Sequence, residues 1–247
     1  MRLFNHHFQD INAFLSRKHK EGKVNVFHHQ GKVDWPVSED RNLVLGQDTA
    51  VELGNPRDAS TACLLWLNDP VLIAHRRVSV VGPDLPQLKG KRASFAKIVV
   101  VGGEDFTEDN CYQRYREMEQ VRYDIHLQGY MMRGVSQYQR EWSRISREAI
   151  DKGFSFQVLG GALIDKMSAL KFVRSVEVIF VTSSREDVLQ IKPVADNAMK
   201  IIGAMNKMAS ELSLDCDTCE YSEVCDDVAE LRSMRQAFKA KEALAHG

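Results

Sequence analysis

Three of the five cysteines lie within ten residues near the end of the chain, in the stretch LDCDTCEYSEVCDD. Cys216 and Cys219 form a Cys-x2-Cys pair, and Cys225 follows after five further residues. A Cys-x2-Cys turn can aim two sulfur atoms at one point while the chain returns with a third, which is what a tetrahedral metal ion or an iron–sulfur cluster requires. The spacing therefore predicts a metal or cluster site formed by Cys216, Cys219 and Cys225 in this stretch, the cysteine knuckle (residues 214–227).

The charge around these cysteines is negative. Between Met208 and Leu231 there is no Lys or Arg, and eight residues are acidic. A redox-active Cys-x2-Cys pair normally has positive charge nearby, which lowers the pKa of its thiols, so the acidic setting favours a bound cation instead. Asp226 and Asp227 are also predicted to open a helix whose N-terminus would point at Cys225 and favour an anionic sulfur.

The residues leave three alternatives open for the knuckle. The thiolates could hold an iron–sulfur cluster whose remaining iron takes an outside ligand or stays open. They could bind zinc together with one carboxylate from Asp215, Asp217 or Asp226. They could also be three reduced cysteines without a metal. The other two cysteines, Cys63 and Cys111, lie in strand-like or helix-like contexts and are predicted to be buried free thiols.

Histidine is the other metal-ligating residue that is concentrated locally, because five of the eight histidines lie in the first thirty residues. The apolar residues among them recur at helical spacing, however, and no other ligand type accompanies the histidines. We therefore predict an amphipathic helix here, with His6, His7 and His19 at its flanks or in solvent.

The composition excludes several classes of partner. The 247 residues include 33 basic and 34 acidic ones, for a formal net charge of −1. Nucleic acids and anionic membranes require clustered positive charge, which this balance does not suggest. No stretch approaches the ~20 apolar residues of a membrane span, and the N-terminus lacks the pattern of a secretion signal. With an odd number of cysteines, this indicates a reducing compartment, and we expect a cytoplasmic protein.

Strands and helices alternate along the rest of the chain. Runs rich in β-branched residues predict strands at 49–53, 62–67, 78–81, 98–101, 154–159 and 176–182. Helical spacing of apolar residues predicts helices at 107–130, continuing in broken form over 131–147, and at 146–152, 162–170 and 184–212. Helices between strands imply parallel pairing. The predicted fold class is therefore α/β: a three-layer, Rossmann-like domain with a largely parallel sheet, followed by the cysteine knuckle and a terminal helix.

The predicted organisation has three parts. Residues 1–42 form an N-terminal helix and lead-in, residues 43–212 the α/β domain, and residues 213–247 the knuckle and the terminal helix. Within the α/β domain, tyrosine and arginine residues recur at helical spacing along 107–130. Such a pattern is typical of a packed face with its cations reaching solvent, although it would also suit an anionic, adenine-bearing ligand.

Five stretches, taken in their order and at their spacing, resemble one family. They are VELG (51–54), VSVVGPDL (78–85), RYDIHLQGY (122–130), WSRISREAIDKGFSF (142–156) and VEVIFVTSSREDV (176–188). Together they resemble the central α/β domain of acetyl-CoA synthase, the β subunit of the carbon monoxide dehydrogenase/acetyl-CoA synthase complex, over about residues 45–197. In that family a cysteine-rich catalytic region follows this domain, as the knuckle does here.

The resemblance implies a cofactor and partners for this chain. The family's metal centre is a 4Fe–4S cluster joined to two nickel-site metals, and Cys216 and Cys219 resemble its first two cluster ligands, with Cys225 at a shorter spacing in place of the third. No fourth cysteine follows, and neither the family's Cys-Gly-Cys sequence nor its N-terminal domain is present in this sequence. Carbon monoxide dehydrogenase, a corrinoid protein or a ferredoxin are the partners that the resemblance implies.

The resemblance also implies a coenzyme A site, because the family binds coenzyme A partly through aromatic and arginine residues of this domain. The matching segment and the residues after it supply the candidates Arg133, Tyr138, Arg140, Trp142 and Arg144. A tyrosine, Tyr138, stands where the family has an arginine.

Two functions of different classes follow from these observations. The first is an accessory, docking or electron-transfer component of anaerobic one-carbon metabolism that holds an iron–sulfur cluster. The second is a structural or interaction protein whose knuckle binds zinc and clamps the terminal helix. Independent synthesis of acetyl-CoA is not expected, because the cysteines that hold the metal beyond the cubane in the family are missing. The sequence leaves open whether the chain is an enzyme.

Overall fold

The computed structural model describes residues 1–38, 43–55, 57–88, 92–135 and 140–246, and the side chains of all these except 133–135, 140, 245 and 246. The strands are β1 (Val24–His28), β2 (Thr49–Leu53), β3 (Ser60–Leu67), β4 (Arg77–Val81), β5 (Arg92–Ala93), β6 (Phe95–Gly103), β7 (Tyr130–Val135), β8 (Arg140–Ser146) and β9 (Val173–Val181). The helices are α1 (Asn5–Lys20), α2 (Cys111–Val121), α3 (Arg147–Asp151), α4 (Phe156–Ser168), α5 (Arg185–Ser210), α6 (Ser222–Asp227) and α7 (Ala229–His246).

These strands form two sheets. The first has five strands in the order β1-β4-β9-β6-β3, and the second has four in the order β5-β2-β8-β7. In the five-stranded sheet β4–β9 and β3–β6 are parallel pairs, whereas β1–β4 and β6–β9 are antiparallel. In the second sheet β2 is parallel to β5, and β8 is antiparallel to both β2 and β7. The three-layer α/β class predicted from the sequence is confirmed, with its parallel pairs set in a sheet of mixed pairing.

The core lies between the five-stranded sheet and its helices. Every residue of β6 is buried, as expected for a β-branched strand covered on both faces. Helix α4 packs on β9 and β4, and α5 packs on β3 and β6. The rings of Phe156 and Phe180 stack between α4 and the sheet with centroids 4.5 Å apart, and Phe95 stacks on both. Gly160 permits this approach, because a Cβ there would lie 2.7 Å from a methyl carbon of Val78.

Several predicted elements are confirmed. The predicted strands at 49–53, 62–67, 78–81, 98–101 and 176–182 correspond to β2, β3, β4, β6 and β9. The long helix predicted at 184–212 is α5, and Pro193 lies inside it. Its first turn is capped by Ser184, whose side-chain oxygen accepts a hydrogen bond from the Asp187 N–H. Local sequence therefore determined most of the five-stranded sheet and its longest helix.

The N-terminal helix is confirmed with one correction. Phe8, Ile11 and Phe14 form the buried face of α1, which packs against α5. The prediction that His7 lies at the flank or in solvent is wrong. His7 is buried, and its Nε2 lies 2.7 Å from Asn197 Oδ1 of α5. Burial against α5 lowers the pKa of His7 below 6.5. Through α1 and β1, the first thirty residues are built into the α/β unit.

Three predictions between residues 107 and 159 are wrong. The helix predicted over 107–130 is confined to α2, and the broken helix predicted over 131–147 is the antiparallel hairpin β7–β8, followed by the start of α3. The strand predicted at 154–159 is the start of α4, because the Ser155 side chain accepts from the Val158 N–H and caps a helix. Short apolar runs with aromatic residues do not distinguish strand from helix, and tertiary packing decided these cases. None of the helices in the described ranges is long and apolar enough to cross a bilayer.

Candidate functional site

The cysteine knuckle lies between the end of α5 and the start of α7. Cys216 and Cys219 precede α6, and Cys225 lies within it. Helices α6 and α7 both pack against α5. The Tyr221 ring sits so close to α5 that a Cβ at Gly203 would lie 2.6 Å from its Cζ. The knuckle is thus seated on the same helix that covers β3 and β6.

Hydrogen bonds within the knuckle shape the Cys-x2-Cys turn. The Asp215 carboxylate accepts from the Asp217 N–H at 3.1 Å and from the Thr218 hydroxyl at 2.6 Å. The Cys219 sulfur accepts from the Tyr221 N–H at 3.4 Å. An Asp carboxylate that accepts from the next residues of its own turn is a common way to fix a tight turn. The turn holds Cys219 close to the start of α6, on which Cys225 lies.

The three cysteines of the knuckle line one cavity. Its volume is about 20 Å³, and its lining also includes Lys207, Met208, Tyr221 and Arg235. Cys225 is buried and Cys216 and Cys219 are half-buried, and all three are free thiols. Burial raises the pKa of the Cys225 thiol, the neighbouring Cys219 and Cys216 raise it further, and Arg235 opposes the rise. All three predicted cysteines therefore line the same small cavity.

The donor set fits a thiolate-bound metal in its chemistry, because three cysteines from two segments line one cavity. Within the described part of the chain, however, no group of three or more His, Cys, Asp or Glu side chains is arranged to hold a metal ion. The sulfurs would have to approach one another to act as ligands. A cavity of about 20 Å³ has room for about one water molecule. A single ion would therefore need less rearrangement than a cubane.

The structure corrects the predicted charge around the cysteines. No Lys or Arg lies between Met208 and Leu231, but Arg235 of α7 lines the cavity of the cysteines, as does Lys207 of α5. The Arg235 guanidinium forms an ion pair of 2.5 Å with Asp226. Arg235 is near the cysteines because α7 packs against α6 after the turn that joins the two helices.

The predicted helix start at Asp226 and Asp227 is also wrong. Both residues lie in the last turn of α6, and the chain leaves the helical conformation at Val228 before α7 begins. Cys225 is inside α6, so no helix N-terminus formed by these aspartates points at its sulfur. Positive charge reaches the site from Arg235 instead.

The candidate coenzyme A residues lie on or near the β7–β8 hairpin. The register pairs Arg133 with Trp142, and Arg140 opens β8; the side chains of Arg133 and Arg140, and all of Tyr138, lie outside what the structure describes. Arg144 stacks over the Trp142 ring at 4.7 Å from its centroid, and its Nε donates to Glu52 at 2.9 Å. Coenzyme A binding by this set stays a prediction.

Sequence reasoning missed a group of buried and half-buried charges, formed by Lys97, Glu119, Arg122 and Glu141. Lys97 of β6 is 5% exposed and forms an ion pair with Glu141 of β8. Arg122 donates to Glu141 at 3.4 Å and to Glu119 at 2.7 Å. Burial opposes the charge on Glu141, but Lys97 and Arg122 outweigh it and hold its pKa below the ordinary value. The signal in the sequence was a single lysine in the apolar run FAKIVVV.

The described geometry is thus an α/β domain of two sheets with a thiol cavity at its C-terminal side. A family model described as "CO dehydrogenase/acetyl-CoA synthase complex beta subunit" matches residues 38–188, more than half of the chain. The chain belongs to this family. The family domain, residues 38–188, contains β2 to β9 and α2 to α4 and ends within α5, before the knuckle. The resemblance inferred from the sequence is confirmed.

One relative of the family domain comes from Methanopyrus kandleri. It is the acetyl-CoA decarbonylase/synthase complex subunit beta of that organism, and it is 29% identical over 157 residues. The match covers 62% of this chain and 32% of the relative. The chain therefore spans less than two thirds of the relative that it matches.

Proposed function

We propose that this chain is an accessory component of a carbon monoxide dehydrogenase/acetyl-CoA synthase system, and that its knuckle binds a metal centre through Cys216, Cys219 and Cys225. The observation that carries the proposal is the shared cavity of these three thiols, on helices packed against the family domain. Cys216 and Cys219 line this cavity from the turn before α6, and Cys225 lines it from α6 itself. Membership of the family supports a role in a carbon monoxide dehydrogenase/acetyl-CoA synthase system. The three thiols in one cavity support the binding of a metal centre.

Two metal centres have separate support. An iron–sulfur cluster, of 4Fe–4S type, is favoured by the place of the knuckle after the family domain, and when bound it would supply electron transfer. Zinc is favoured by the small cavity, and when bound it would cross-link α6 to the segment before it. In either case Cys216 and Cys219 approach from the turn fixed by Asp215, and Cys225 from α6. Asp215 also lines the cavity as a carboxylate for a fourth position.

Metal analysis of protein purified without oxygen tests the proposal. Iron, sulfide and zinc contents together with the electronic spectrum distinguish a cluster from zinc. We expect one metal centre per chain, lost in each of the variants Cys216→Ser, Cys219→Ser and Cys225→Ser. Cys111→Ser is the matched control, since Cys111 is a buried free thiol at the start of α2. Wild-type protein without metal after reconstitution with iron and sulfide or with zinc, or equal metal content in all four variants, would overturn the proposal.

The docking part of the proposal rests on the exposed acidic residues of the knuckle. Asp217, Glu220, Glu223, Asp226 and Asp227 are all exposed around the cavity. Fixed negative charge of this density steers partners with a basic surface, and the association weakens as salt screens it. Carbon monoxide dehydrogenase, a corrinoid protein and a ferredoxin are the proposed partners.

Binding of each purified partner can be measured by surface plasmon resonance at low and high salt. We expect binding to one of them that weakens with salt and that is lost in the variant Asp217→Asn/Glu220→Gln/Glu223→Gln. The control variant Glu104→Gln/Glu148→Gln/Glu186→Gln removes the same charge away from the knuckle. No binding at either salt, or equal loss in both variants, would contradict the docking role.

A further inference from the structure

Arg235 is a positive side chain at the cavity of the three knuckle cysteines. It lies on α7, its side chain is 20% exposed, and it lines the cavity of the three cysteines. Its charge acts on both Cys225 and Cys216. Lys207, the other cation of the cavity lining, is directed to Glu211 at 3.7 Å. Arg235 is thus held at the cavity by its ion pair with Asp226.

The proposed metal centre carries a net negative charge when it is loaded, and a cation beside it would offset that charge. Three thiolates carry three negative charges, and a divalent ion or a doubly charged cubane leaves one of them uncompensated. The carboxylates around the knuckle add to this negative charge rather than offset it. A half-buried guanidinium that lines the same cavity lowers the energy of the negative centre much more than the same charge would in water.

We propose that Arg235 is the charge-complementing residue of the three-cysteine metal site, so that its guanidinium offsets the net negative charge of the loaded centre. The inference rests on the proposed metal binding and adds a residue that no motif in the sequence marks. It also makes α7 part of the site, because the residue that completes the charge balance comes from that helix. Asp226 orients the guanidinium through its 2.5 Å ion pair.

A purely structural role for Arg235 predicts a different result. If Arg235 only fastened α7 to α6, its removal would lower the melting temperature without a specific effect on metal affinity. Arg232 provides the comparison. It lies on the same helix and donates to the Asp226 carbonyl oxygen at 2.6 Å, but it does not line the cavity. Arg232→Gln therefore removes a fastening contact and leaves the charge at the sulfurs.

The test uses cobalt(II) as the probe, added to the full chain without oxygen, with the thiolate-to-cobalt charge-transfer absorption as the readout. Dissociation constants are measured by competition with a chelator for the wild type, Arg235→Gln, Arg235→Lys and Arg232→Gln. We expect Arg235→Gln to weaken binding about tenfold, which corresponds to the low end of the effect that a nearby opposite charge has on an ionised group. Arg235→Lys should stay within about threefold of the wild type, and the effect of Arg235→Gln should shrink at high salt.

Each outcome decides a different statement. Cobalt bound by the wild type and by Arg235→Gln with equal affinity would overturn the role of Arg235 and leave the metal site standing. An equal loss in Arg232→Gln would also overturn it, because the loss would then come from the helix contact. A wild type that binds no cobalt would overturn both the metal site and this inference. Circular dichroism of each variant shows whether it is folded. If Arg235→Gln does not fold, Arg235→Met, which also removes the charge, takes its place with the same expected loss of affinity.

Discussion

Replacing Glu141 by glutamine should be among the most destabilising single changes in this chain. Glu141 is the carboxylate that pairs with Lys97, whose side chain is 6% exposed, and its own side chain is 11% exposed. Burial lowers the pKa of Lys97 and Glu141 opposes this, so after Glu141→Gln the buried amine either keeps an uncompensated charge or has to lose its proton. Breaking a buried ion pair by removing one partner costs about 3–5 kcal/mol, because an uncompensated charge is left inside.

The size of the loss can be followed by melting and by urea unfolding. A chain of this size loses about 2–4 °C of Tm per kcal/mol, so Glu141→Gln should lower Tm by about 6–20 °C. Lys97→Met should cost less, because Glu141 keeps Arg122 as a partner at 3.4 Å. The double variant Lys97→Met/Glu141→Leu removes both buried charges and should return to within about 1 kcal/mol of the wild type.

An exposed pair provides the control for this cycle. Lys152 and Glu148 form an ion pair of 2.6 Å on the surface of the helical segment around α3, and both side chains are more than half exposed. Breaking it with Glu148→Gln should change stability by no more than about 0.5 kcal/mol. The reasoning fails if Glu141→Gln is as harmless as Glu148→Gln, or if the double variant is no more stable than Glu141→Gln.

Three further predictions concern α1, α5 and the core. Burial lowers the pKa of His7 in the folded state below the ordinary value of 6.5. As the pH falls below 6.5, the unfolded state therefore takes up a proton before the folded state does, and the protein loses stability. His7→Gln should flatten this loss in melting temperatures taken above and below pH 6.5, and equal acid sensitivity would refute it. Ser184→Ala removes the cap of α5 and should cost about 1 kcal/mol in urea unfolding, whereas Ser184→Asp should be nearly neutral. Phe180→Ala deletes a fully buried ring and should cost about 3–5 kcal/mol. As a control, Val71→Ala at an 89% exposed position should change the free energy of unfolding by no more than about 0.5 kcal/mol. Similar losses for Phe180→Ala and Val71→Ala would contradict the assigned core.

The sequence determined the elements whose own pattern requires burial. The β-branched runs of β6 and β9 have to be covered on both faces, and the apolar stripe of α5 has to face a sheet, so local periodicity was enough to find them. The same information established the α/β class. The order of five short stretches was enough to indicate the family.

Tertiary structure decided the features that depend on residues far apart in the chain. The hairpin β7–β8 exists because β8 pairs with β2 in a second sheet, and nothing local distinguishes its apolar and aromatic residues from those of a helix. Lys97 pairs with Glu141 on β8, and His7 contacts the side-chain amide of Asn197 on α5. No sequence spacing encodes these pairs.

The knuckle shows both kinds of information at one site. The grouping of three cysteines could be predicted directly from the sequence, because residues within ten positions of one another stay close in space. The positive charge of Arg235 could not, because it reaches the sulfurs only when α7 turns back on α6 at Val228. Spacing along the chain fixes which donors are neighbours, but the charge around them is set by whichever side chains the packed helices bring to the cavity.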